Sequence, residues 1–561
     1  MKWNSVCNMV RRGTEGGTGV AELLLWILFG MLLLFFVLLF VVPLVLFALF
    51  YVFDQRQKQH AVLRNYPLLG RIRYFFEMIG PELRQYLFEH DTAGKPFSRI
   101  DYQYVVLSAK YGKAMIGFGS RRDFEAPGFY LQNSLFPKLA EELRVEKVPV
   151  KTKKYDLLKE TLISRKEVQR DVLFDAWLLK EEDAVIIGRR RPQPFRVRGL
   201  VGMSGMSFGA LGENAITALS EGLGIVRETW MNTGEGGISP YHLKGNVNLI
   251  MQIGPGLFGV RNEDGTFNWD KLREWAAHPN VRAFELKLGQ GAKIRGGHLE
   301  GHKVTPEIAA MRGIPVGQTV DSPNRFKDLA DAAALLTFVQ RLQRETGKPV
   351  GIKLVVGAPE PFEQLVQTMK ELHIFPDFIT VDGGEGGTGA TYPELADSVG
   401  LPLWAALPIV DNTLKAYGIR DEITVFASGK LFSPDRIAVA LALGADVVNI
   451  ARGFMIAVGC IQAMRCHTNQ CPVGVATTDP RLQKALVVEE KKYRVANYVL
   501  ALWEGLFHVA AACGLESPRQ FRREHVVYKD GMGRVHRLNE AGAVPKLTWD
   551  ALSHSERVDS M

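Results

Sequence analysis

Three of the five cysteines in this chain of 561 residues lie close together, at Cys460, Cys466 and Cys471. The residues between them are mostly polar, which argues against three thiols buried as small core side chains. Three thiols on one loop can bind zinc with His467 as the fourth ligand, or they can bind an iron–sulfur cluster. The spacing alone does not decide between these two metal centres.

The segment GCIQAMRCHTNQCPVGVAT, which contains these cysteines, closely resembles the cluster-binding segment of the glutamate synthase large subunit. The resemblance implies that Cys460, Cys466 and Cys471 hold a [3Fe-4S] cluster beside a bound FMN. A cluster with three protein ligands suits the relay of single electrons. The chain carries no disulfide framework, which agrees with a reducing compartment.

Short apolar runs alternate with helical patterns from Val197 onwards. Helical patterns such as Glu213–Leu223, Asp328–Gly347, Pro361–Leu372 and Ser433–Leu443 separate many of the runs. Eight strands that alternate with helices predict an α/β fold of the (β/α)8 TIM barrel type, although an open doubly wound sheet shares the alternation. The candidate strands are Gly199–Ser204, Gly224–Met231, Leu249–Gly254, Ala283–Leu288, Pro349–Val356, Phe378–Asp382, Ile423–Ser428 and Asp446–Ile450.

Two motifs follow the first two strands, at the barrel end where active sites form. The loop GMSGMSFGAL resembles the MSFG motif of glutamate synthases, which implies FMN contacts for Met206, Ser207 and Gly209. The second strand precedes NTGEGG, and the resemblance implies that Glu235 faces the substrate. A carboxylate in this place can accept a hydrogen bond from an imine or amine nitrogen.

Lysines mark the ends of the fourth and fifth strands. The fourth strand runs into KLGQGAK, which matches the K-x-x-QGAK motif of the family. The resemblance makes Lys287, Gln290 and Lys293 contacts of the flavin or of a 2-oxo acid. Lys353 lies inside an apolar strand, where a lysine is costly to bury without a negative partner. Reduced FMN would supply that charge, so Lys353 is predicted to stabilise it electrostatically.

The last three strands are predicted to bind the remainder of FMN. DGGEGGTGA after the sixth strand resembles the DGGTGA of the family with three residues inserted. The seventh and eighth strands end in SGK and ARG, at the loops where barrels frequently bind phosphate. No nicotinamide-binding motif follows a strand, so we expect an electron-donor protein or a small carrier. The residues assigned to FMN here are Asp382, Gly383, Gly384, Gly429, Lys430, Ala451 and Arg452.

The resemblance weakens in two loops beside the predicted substrate site. IRGGH at residues 294–298 stands where the family has PGEGG, and residues 321–326 replace a loop rich in proline and histidine. We therefore keep three hypotheses. The leading one is an oxidoreductase that acts on CH–NH2 groups, takes a 2-oxo acid or an amino acid, and reduces the imine of 2-oxoglutarate and ammonia to glutamate. The alternatives are amine transfer, as in N-methylglutamate synthase, and a membrane-bound flavin and iron–sulfur relay without amination.

An almost wholly apolar run extends from Val20 to Phe53. It is longer than the ~20 residues that one helix needs to cross a bilayer, and it lacks a clear signal-peptide cleavage site. One tilted transmembrane helix is predicted, with a hairpin as the alternative. Cations are denser after the run than before it, which predicts a membrane anchor and a cytoplasmic catalytic body.

The remaining segments carry no recognisable chemistry. The net charge of +8 is spread along the chain, and no basic helix is interleaved with aromatic residues, so nucleic-acid binding is not expected. Residues 81–90 are expected to form an amphipathic helix, the charged stretches 138–146 and 155–174 are expected to be helical, and residues 525–538 are expected to form a hairpin. The predicted domains are a tail and transmembrane segment (1–54), a lead-in domain (55–195), a glutamate synthase-like barrel with FMN and the cluster (196–515) and a C-terminal tail (516–561).

Overall fold

The computed structural model describes residues 24–161, 165–293 and 297–538 of this chain. The chain divides into two compact units, of which the first ends at Arg99 and the second begins at Ile100. Several expectations concern segments outside the described residues. These are the N-terminal tail and the start of the apolar run (1–23), the first part of the IRGGH departure (294–296) and the end of the C-terminal tail (539–561).

The described part of the first unit is helical. The helix expected from residue 81 begins further upstream, at Leu69, and a π-helical turn, Arg84–Phe88, extends it. Its apolar residues recur at helical spacing, as the sequence predicts. The helices of this unit are α1 (Leu24–Arg56), α2 (Ala61–Asn65) and α3 (Leu69–Leu83).

The apolar run forms one continuous helix, α1, rather than a hairpin. It has 33 residues, its most apolar window has a mean hydropathy of 3.3, and none of that window is buried. At about 1.5 Å per residue it is longer than the hydrocarbon core of a bilayer, which is ~30 Å thick. A π-helical turn, Val37–Val41, precedes Pro43, whose missing N–H cannot support regular α-helical bonding at that point.

The lead-in region contains a long antiparallel hairpin over residues 145–179, so the helix expected over 155–174 is wrong. The helix expected over 138–146 is wrong too, because only a 3-10 turn, Ala140–Glu142, precedes the hairpin. The two long strands pair from Val145 with Leu179 to Leu157 with Glu167 and beyond. Val150 and Thr152 are buried while Pro149 and Lys151 are exposed, which is the period of a strand. The elements are α4 (Arg99–Tyr111), β1 (Gly128–Leu131), β2 (Val145–Glu160), β3 (Arg165–Leu179), β4 (Val185–Ile187) and β5 (Phe195–Val197).

Eight parallel strands close into a barrel in chain order, with the last strand paired to the first, which confirms the predicted fold class. Each expected strand overlaps an observed one, although the second was expected to begin at Gly224 and begins at Trp230, because the helix Glu213–Val226 precedes it. Two further short strands, β10 and β11, pair outside the barrel. The strands are β6 (Val201–Met203), β7 (Trp230–Asn232), β8 (Asn248–Ile253), β9 (Val281–Lys287), β10 (His298–Leu299), β11 (Val320–Asp321), β12 (Val350–Leu354), β13 (Phe378–Asp382), β14 (Thr424–Ser428) and β15 (Val447–Ile450).

Helices connect the barrel strands, and several begin at side chains that cap them. Asn268, Thr305 and Asp331 each accept a hydrogen bond from a backbone N–H of the helix that follows. The helices are α5 (Glu213–Val226), α6 (Pro240–Leu243), α7 (Trp269–Ala277), α8 (Pro306–Arg312), α9 (Ala332–Thr346), α10 (Pro359–Leu372), α11 (Pro393–Ser398), α12 (Leu403–Ala416), α13 (Pro434–Ala442), α14 (Arg452–Val458), α15 (Pro480–Gln483) and α16 (Val488–Ala512).

The last long helix and the C-terminal hairpin tie the lead-in region to the barrel. α16 is apolar enough to be a second candidate span, but 67% of its most apolar window is buried and it packs against α5, α13, β2 and β3. The hairpin expected at the C-terminus is confirmed as β16 (Val526–Lys529) and β17 (Val535–Arg537), and β16 also pairs with β1. α16 is therefore a core helix of the second unit.

The barrel interior is filled by a buried tryptophan that depends on a glycine of the neighbouring strand. Trp230 is fully buried, donates a hydrogen bond of 2.8 Å from Nε1 to Oδ1 of Asn449, and meets the ring of Phe426 edge-on at 5.5 Å. A Cβ added at Gly202 would lie 2.0 Å from the indole of Trp230. The glycine therefore leaves the space that the indole occupies.

We expect Gly202→Ala to destabilise the barrel, because the added methyl group overlaps the indole of Trp230. Overpacking of this kind costs about 1–3 kcal/mol or more in the free energy of unfolding. The matched control is Gly357→Ala, where no atom lies within 4 Å of the added Cβ. Denaturant unfolding followed by tryptophan fluorescence measures both. Equal stability of the two variants would contradict this account of the barrel core.

Candidate active site

The loops that the sequence assigned to the site come together at the carboxyl ends of the barrel strands. A Cβ added at Gly234 would lie 2.7 Å from the backbone nitrogen of Ser207, so the loops after β6 and β7 touch. A Cβ added at Gly291 would lie 1.8 Å from the carbonyl oxygen of Gly383, so the loops after β9 and β13 touch as well. The predicted site loops thus surround one barrel mouth.

Glu235 forms the centre of this mouth. Its Oε1 lies 2.6 Å from Nζ of Lys287, and the side chains of Lys287 and Glu235 are only 4% and 15% exposed. Oε2 is buried and has no hydrogen-bond partner among the described residues. Cβ atoms added at Gly254 and Gly297 would lie 2.3 and 2.4 Å from the carboxylate oxygens, so glycines leave room for this side chain.

The Glu235 carboxylate is held in its ionised form by neighbouring cations. Burial opposes ionisation, but Lys287, Lys293 and Arg312 outweigh it and lower the pKa of Glu235 below its ordinary value. Lys293 donates a hydrogen bond of 2.7 Å to the carbonyl oxygen of Ala390. Glu235 is therefore a buried acceptor with one of its two oxygens still available.

Arg312 is a site residue that sequence reasoning missed. It ends α8 instead of following a strand, so the rule that places functional residues after strands could not find it. Its guanidinium is buried, donates a hydrogen bond of 3.0 Å to the carbonyl oxygen of Phe208, and has an Nε with no partner among the described residues. Burial lowers the pKa of Arg312 to about 10, an effect that Glu235 opposes. The arginine still carries a full charge at neutral pH.

Lys353 has a carboxylate partner in the protein itself. Its Nζ lies 3.2 Å from Oδ2 of Asp382, and both side chains are less than a tenth exposed. Burial lowers the pKa of Lys353, but Asp382, Glu285 and Glu235 together raise it above its ordinary value. From the sequence, Asp382 was expected to contact FMN, and Lys353 was expected to have reduced FMN as its negative partner. The ion pair between Lys353 and Asp382 was not predicted.

A second buried carboxylate, Glu285, lies below the mouth and was also missed. Its Oε1 accepts hydrogen bonds from Asn232 at 2.8 Å and from Gln252 at 2.6 Å, and its Oε2 accepts one from Thr380 at 2.6 Å. Three neutral donors satisfy this carboxylate, which lies on β9 two residues before Lys287. The sequence did contain a signal for this residue, because a glutamate within an otherwise apolar strand indicates a buried carboxylate with specific partners.

The loop after β6 is held by backbone contacts. The amide of Met206 donates to the carbonyl of Asn232 at 3.3 Å, and Nε2 of His242 lies 3.1 Å from the carbonyl oxygen of Met206. Gly209 has a φ of +98°, a conformation that favours glycine. The carbonyl of Ser207 accepts from the amides that follow it and closes the turn. Burial lowers the pKa of His242 to about 4, so this imidazole is neutral.

The loops after β13, β14 and β15 converge on one side of the mouth. The amide of Gly383 donates to Ser428 at 2.8 Å, that of Gly384 donates to Leu401 at 2.8 Å, and Gln290 donates to the carbonyl of Gly387 at 2.9 Å.

Two cations lie at the ends of β14 and β15. Arg452 donates to the carbonyl of Glu385, and Lys430 lies 3.6 Å from Asp101. Ala451 precedes α14, and Gly429 and Lys430 both have a positive φ. All the residues assigned to the FMN phosphate are therefore neighbours.

The carboxylate of Glu385 occupies the same region and was not predicted. It accepts hydrogen bonds of 3.2 and 3.1 Å from the amide of Leu403, at the start of α12. Cβ atoms added at Gly383 and Gly429 would lie 2.4 and 3.2 Å from its oxygens. Burial raises the pKa of Glu385 above its ordinary value.

The three cysteines lie on one loop, between α14 and α15. Cys471 is buried, and Cys460 and Cys466 are partly exposed. Within the described ranges, no group of three or more His, Cys, Asp or Glu side chains is arranged to hold a metal ion.

Lys303 is buried against the cysteine loop. Its Nζ donates hydrogen bonds of 3.1 Å to the carbonyl oxygens of Ala210, in the loop after β6, and of Cys466. Within the described part of the chain it forms no ion pair with a carboxylate. Burial lowers its pKa to about 8, an effect that Cys466 and Cys471 oppose in their thiolate form. It lies at the end of a 3-10 turn, where sequence reasoning would read it as solvated.

The two loops that depart from the family pattern meet beside Glu235. β10 and β11 pair through His298 with Asp321 and Leu299 with Val320, and the amide of Ser322 donates to Gly297 at 2.8 Å. The imidazole of His298 lies 2.8 Å from Asp321 and 3.0 Å from Glu300. Because Gly297 contacts the Glu235 carboxylate, this strand pair covers one side of the candidate substrate site.

Comparisons with known proteins agree with this geometry. The family model described as "Conserved region in glutamate synthase" matches residues 135–516. The glutamate synthase large subunit-like protein YerD of Bacillus subtilis (strain 168) is 53% identical over 506 residues, which cover 90% of this chain and 96% of that protein.

Two further relatives match a smaller part of the chain. The archaeal glutamate synthase (NADPH) of Methanocaldococcus jannaschii is 36% identical over 322 residues, which cover 56% of this chain and 59% of that protein. The archaeal-type glutamate synthase (NADPH) of Thermotoga neapolitana is 32% identical over 365 residues, which cover 64% of this chain and 68% of that protein. The chain thus spans only part of the length of the relatives whose names specify NADPH, and nearly all of YerD.

We expect the β10–β11 pair to loosen as the pH rises. The hydrogen bond to Glu300 outweighs burial and, with Asp321, raises the pKa of His298 above its ordinary value. The stabilisation is therefore complete below the unfolded pKa of about 6.5 and is lost as the pH rises through the raised value. Amide hydrogen exchange of residues 297–300 and 319–322, corrected for intrinsic rates, measures this between about pH 6 and about pH 9. His298→Gln should abolish the difference, and a wild-type protein without it would contradict the prediction.

Proposed function

We propose, from the premise that this chain belongs to the glutamate synthase family, that it reduces the imine of 2-oxoglutarate and ammonia to glutamate. Membership of the family makes the chain a glutamate synthase-like oxidoreductase; the substrates are our proposal. The observation that carries it is the buried Glu235 carboxylate, whose Oε1 pairs with Lys287 and whose Oε2 has no partner among the residues that the structure describes. An imine or ammonium N–H is the donor that such an oxygen would bind.

The charges around Glu235 support a substrate with two carboxylates. Three cations, Lys287, Lys293 and Arg312, act on the Glu235 carboxylate, so the barrel mouth around it is electropositive. Guanidinium and ammonium groups of this kind suit carboxylates. We infer that Arg312 and Lys293 bind the substrate carboxylates while Glu235 orients its nitrogen.

FMN is the redox group that we propose for the barrel mouth, where bound FMN would supply the hydride. Two cations, Lys430 and Arg452, stand at the ends of adjacent strands and suit a phosphate group. The residues of this chain that would hold FMN are Met206, Ser207, Gly209, Gln290, Asp382, Gly383, Gly384, Gly429, Lys430, Ala451 and Arg452.

Lys353 is proposed to act beside the flavin as a fixed positive charge. Its ion pair with Asp382 orients the ammonium group and keeps it protonated in a buried place. A cation held in this way stabilises negative charge on a neighbouring group without reorganisation. The proposed catalytic residues are accordingly Glu235, Lys287, Lys293 and Lys353.

A [3Fe-4S] cluster on Cys460, Cys466 and Cys471 is proposed as the entry point for electrons, because such a cluster supplies single-electron transfer when bound. The donor set is chemically suitable, since three thiols lie on one loop. The buried Lys303 supports the assignment, because a lysine without a carboxylate partner in the described chain requires another negative group nearby. Thiolates that bind a metal cluster would provide it.

We also propose a location for the protein and partners for its reaction. α1 is long and apolar enough to cross a bilayer, which supports a membrane anchor with the catalytic unit in the cytoplasm. We propose that a donor protein or a small carrier delivers the electrons. Ammonia would come from solution or from a partner subunit.

The aminating activity is tested with full-length protein purified in detergent, loaded with FMN and reduced anaerobically. We expect 2-oxoglutarate and ammonium together, but neither alone, to reoxidise the flavin and form glutamate. Glu235→Gln removes the ionised acceptor and should slow this reoxidation by about 100-fold or more. The matched control is Glu263→Gln in an exposed loop. Flavin that stays reduced with every 2-oxo acid, yet is reoxidised by a quinone or a carrier protein, would instead favour the relay.

The cluster assignment is tested by two matched cysteine variants. We expect Cys466→Ser to lose most of the iron and acid-labile sulfide, because three thiolates are needed to hold the cluster. Cys513→Ser removes a free, partly exposed thiol at the end of α16 and should retain both. Iron and sulfide analysis with electron paramagnetic resonance measures the outcome. Equal iron in the two variants would contradict the assignment.

A further inference from the structure

The helix α3, directly downstream of the apolar helix, exposes an apolar face. Leu69, Ile72, Phe75 and Phe76 are between 51% and 67% exposed, and their spacing places them on one side of the helix. We call these four residues the apolar face of α3. A soluble helix normally buries such a face, and large exposed side chains that lie together mark a site of interaction.

The surroundings of the apolar face are cationic. Within residues 56–88 there are six Lys or Arg residues and two Glu residues. Arg73 lies four residues after Leu69, at the edge of the apolar face, and pairs with Glu77 at 2.7 Å. Arg64 and Arg84 are exposed. An apolar face bordered by cations is the pattern of a helix that lies in the surface of an anionic membrane.

An ion pair fixes α3 to the end of α1. Asp54, which is fully buried, accepts hydrogen bonds from Arg71 at 2.6 and 3.0 Å and from the amide of Leu68 at 3.0 Å. The Arg71 guanidinium also lies 4.5 Å from the centre of the Phe50 ring. Asp54 is the first charged residue after the apolar stretch of α1, so α3 begins at the level where that stretch ends.

We propose that α3 lies in the headgroup layer of the bilayer and binds anionic phospholipid. This rests on the proposed anchoring of the chain by α1. The apolar face enters the boundary of the acyl chains, and Arg64, Arg73 and Arg84 meet lipid phosphates. A second copy of the chain suits this surface less well, because two segments with the same excess of positive charge repel each other.

The test uses the full-length protein in nanodiscs, made from phosphatidylcholine alone or from phosphatidylcholine with phosphatidylglycerol. Amide hydrogen exchange is followed in peptides that cover α1 and α3. We expect the α3 amides to exchange more slowly with the anionic lipid. Phe76→Asp places a charge on the apolar face and should speed exchange about tenfold. Gln59→Asp is the matched control, since it adds the same charge at an exposed residue that lies outside α3.

The outcomes separate this inference from the anchoring on which it rests. If the α1 peptides are protected but α3 exchanges at one rate in both lipids and in both variants, α3 does not bind the membrane. If the amides of the α1 peptides themselves exchange freely, the proposal that α1 anchors the chain in the membrane is wrong. Protection of α3 that appears only in discs that contain two chains would assign the apolar face to a second copy and overturn the lipid proposal.

Discussion

Compensation of buried charge is the constraint on which the barrel mouth depends. Lys287 and Lys353 are direct partners on the adjacent strands β9 and β12, where two like charges would repel each other. Each is neutralised from a different loop, Lys287 by Glu235 after β7 and Lys353 by Asp382 at the end of β13. A buried ion pair contributes only when its geometry is good, and loss of one partner leaves an uncompensated charge. The two pairs therefore tie four strand ends into one arrangement.

Two buried polar groups that lack a full set of partners belong to the residues that we assign to substrate binding. Glu285 has three donors for its two oxygens, so its carboxylate is fully hydrogen-bonded within the barrel interior. Within the described part of the chain, by contrast, Glu235 has one buried oxygen without a partner, and the Nε of Arg312 has none either. Groups of this kind cost free energy in the protein alone and recover it when a ligand binds. The substrate that we propose would satisfy both residues at once, with its nitrogen donor on Glu235 and a carboxylate on Arg312.

Sequence reasoning was correct for features in which one physical rule governs both the pattern of residue types and the position of those residues in the fold. Strands that alternate with helices close into a barrel, and their carboxyl ends meet, so Glu235 and Lys287 were expected at one mouth although 52 residues separate them. Arg312 and Lys303 were missed because helices and turns carry them, and only the closed fold brings them inward. The β2–β3 hairpin was misread because charged residues on exposed strand faces also favour helices, and the alternation of buried residues decided the outcome.

Lys303 shows how the proposed flavin and cluster sites are coupled in the fold. Its ammonium donates to Ala210 in the loop after β6 and to Cys466 in the cysteine loop, so one side chain fixes the distance between the two loops. Lys287 and Lys353 are each buried with a carboxylate, whereas Lys303 has backbone carbonyls, which satisfy its donors but not its charge. A buried charge of this kind favours a negative centre nearby, and metal-bound thiolates at Cys466 and Cys471 would be that centre. The same lysine that joins the loops would then favour the addition of an electron to the cluster, because its positive charge stabilises the reduced state.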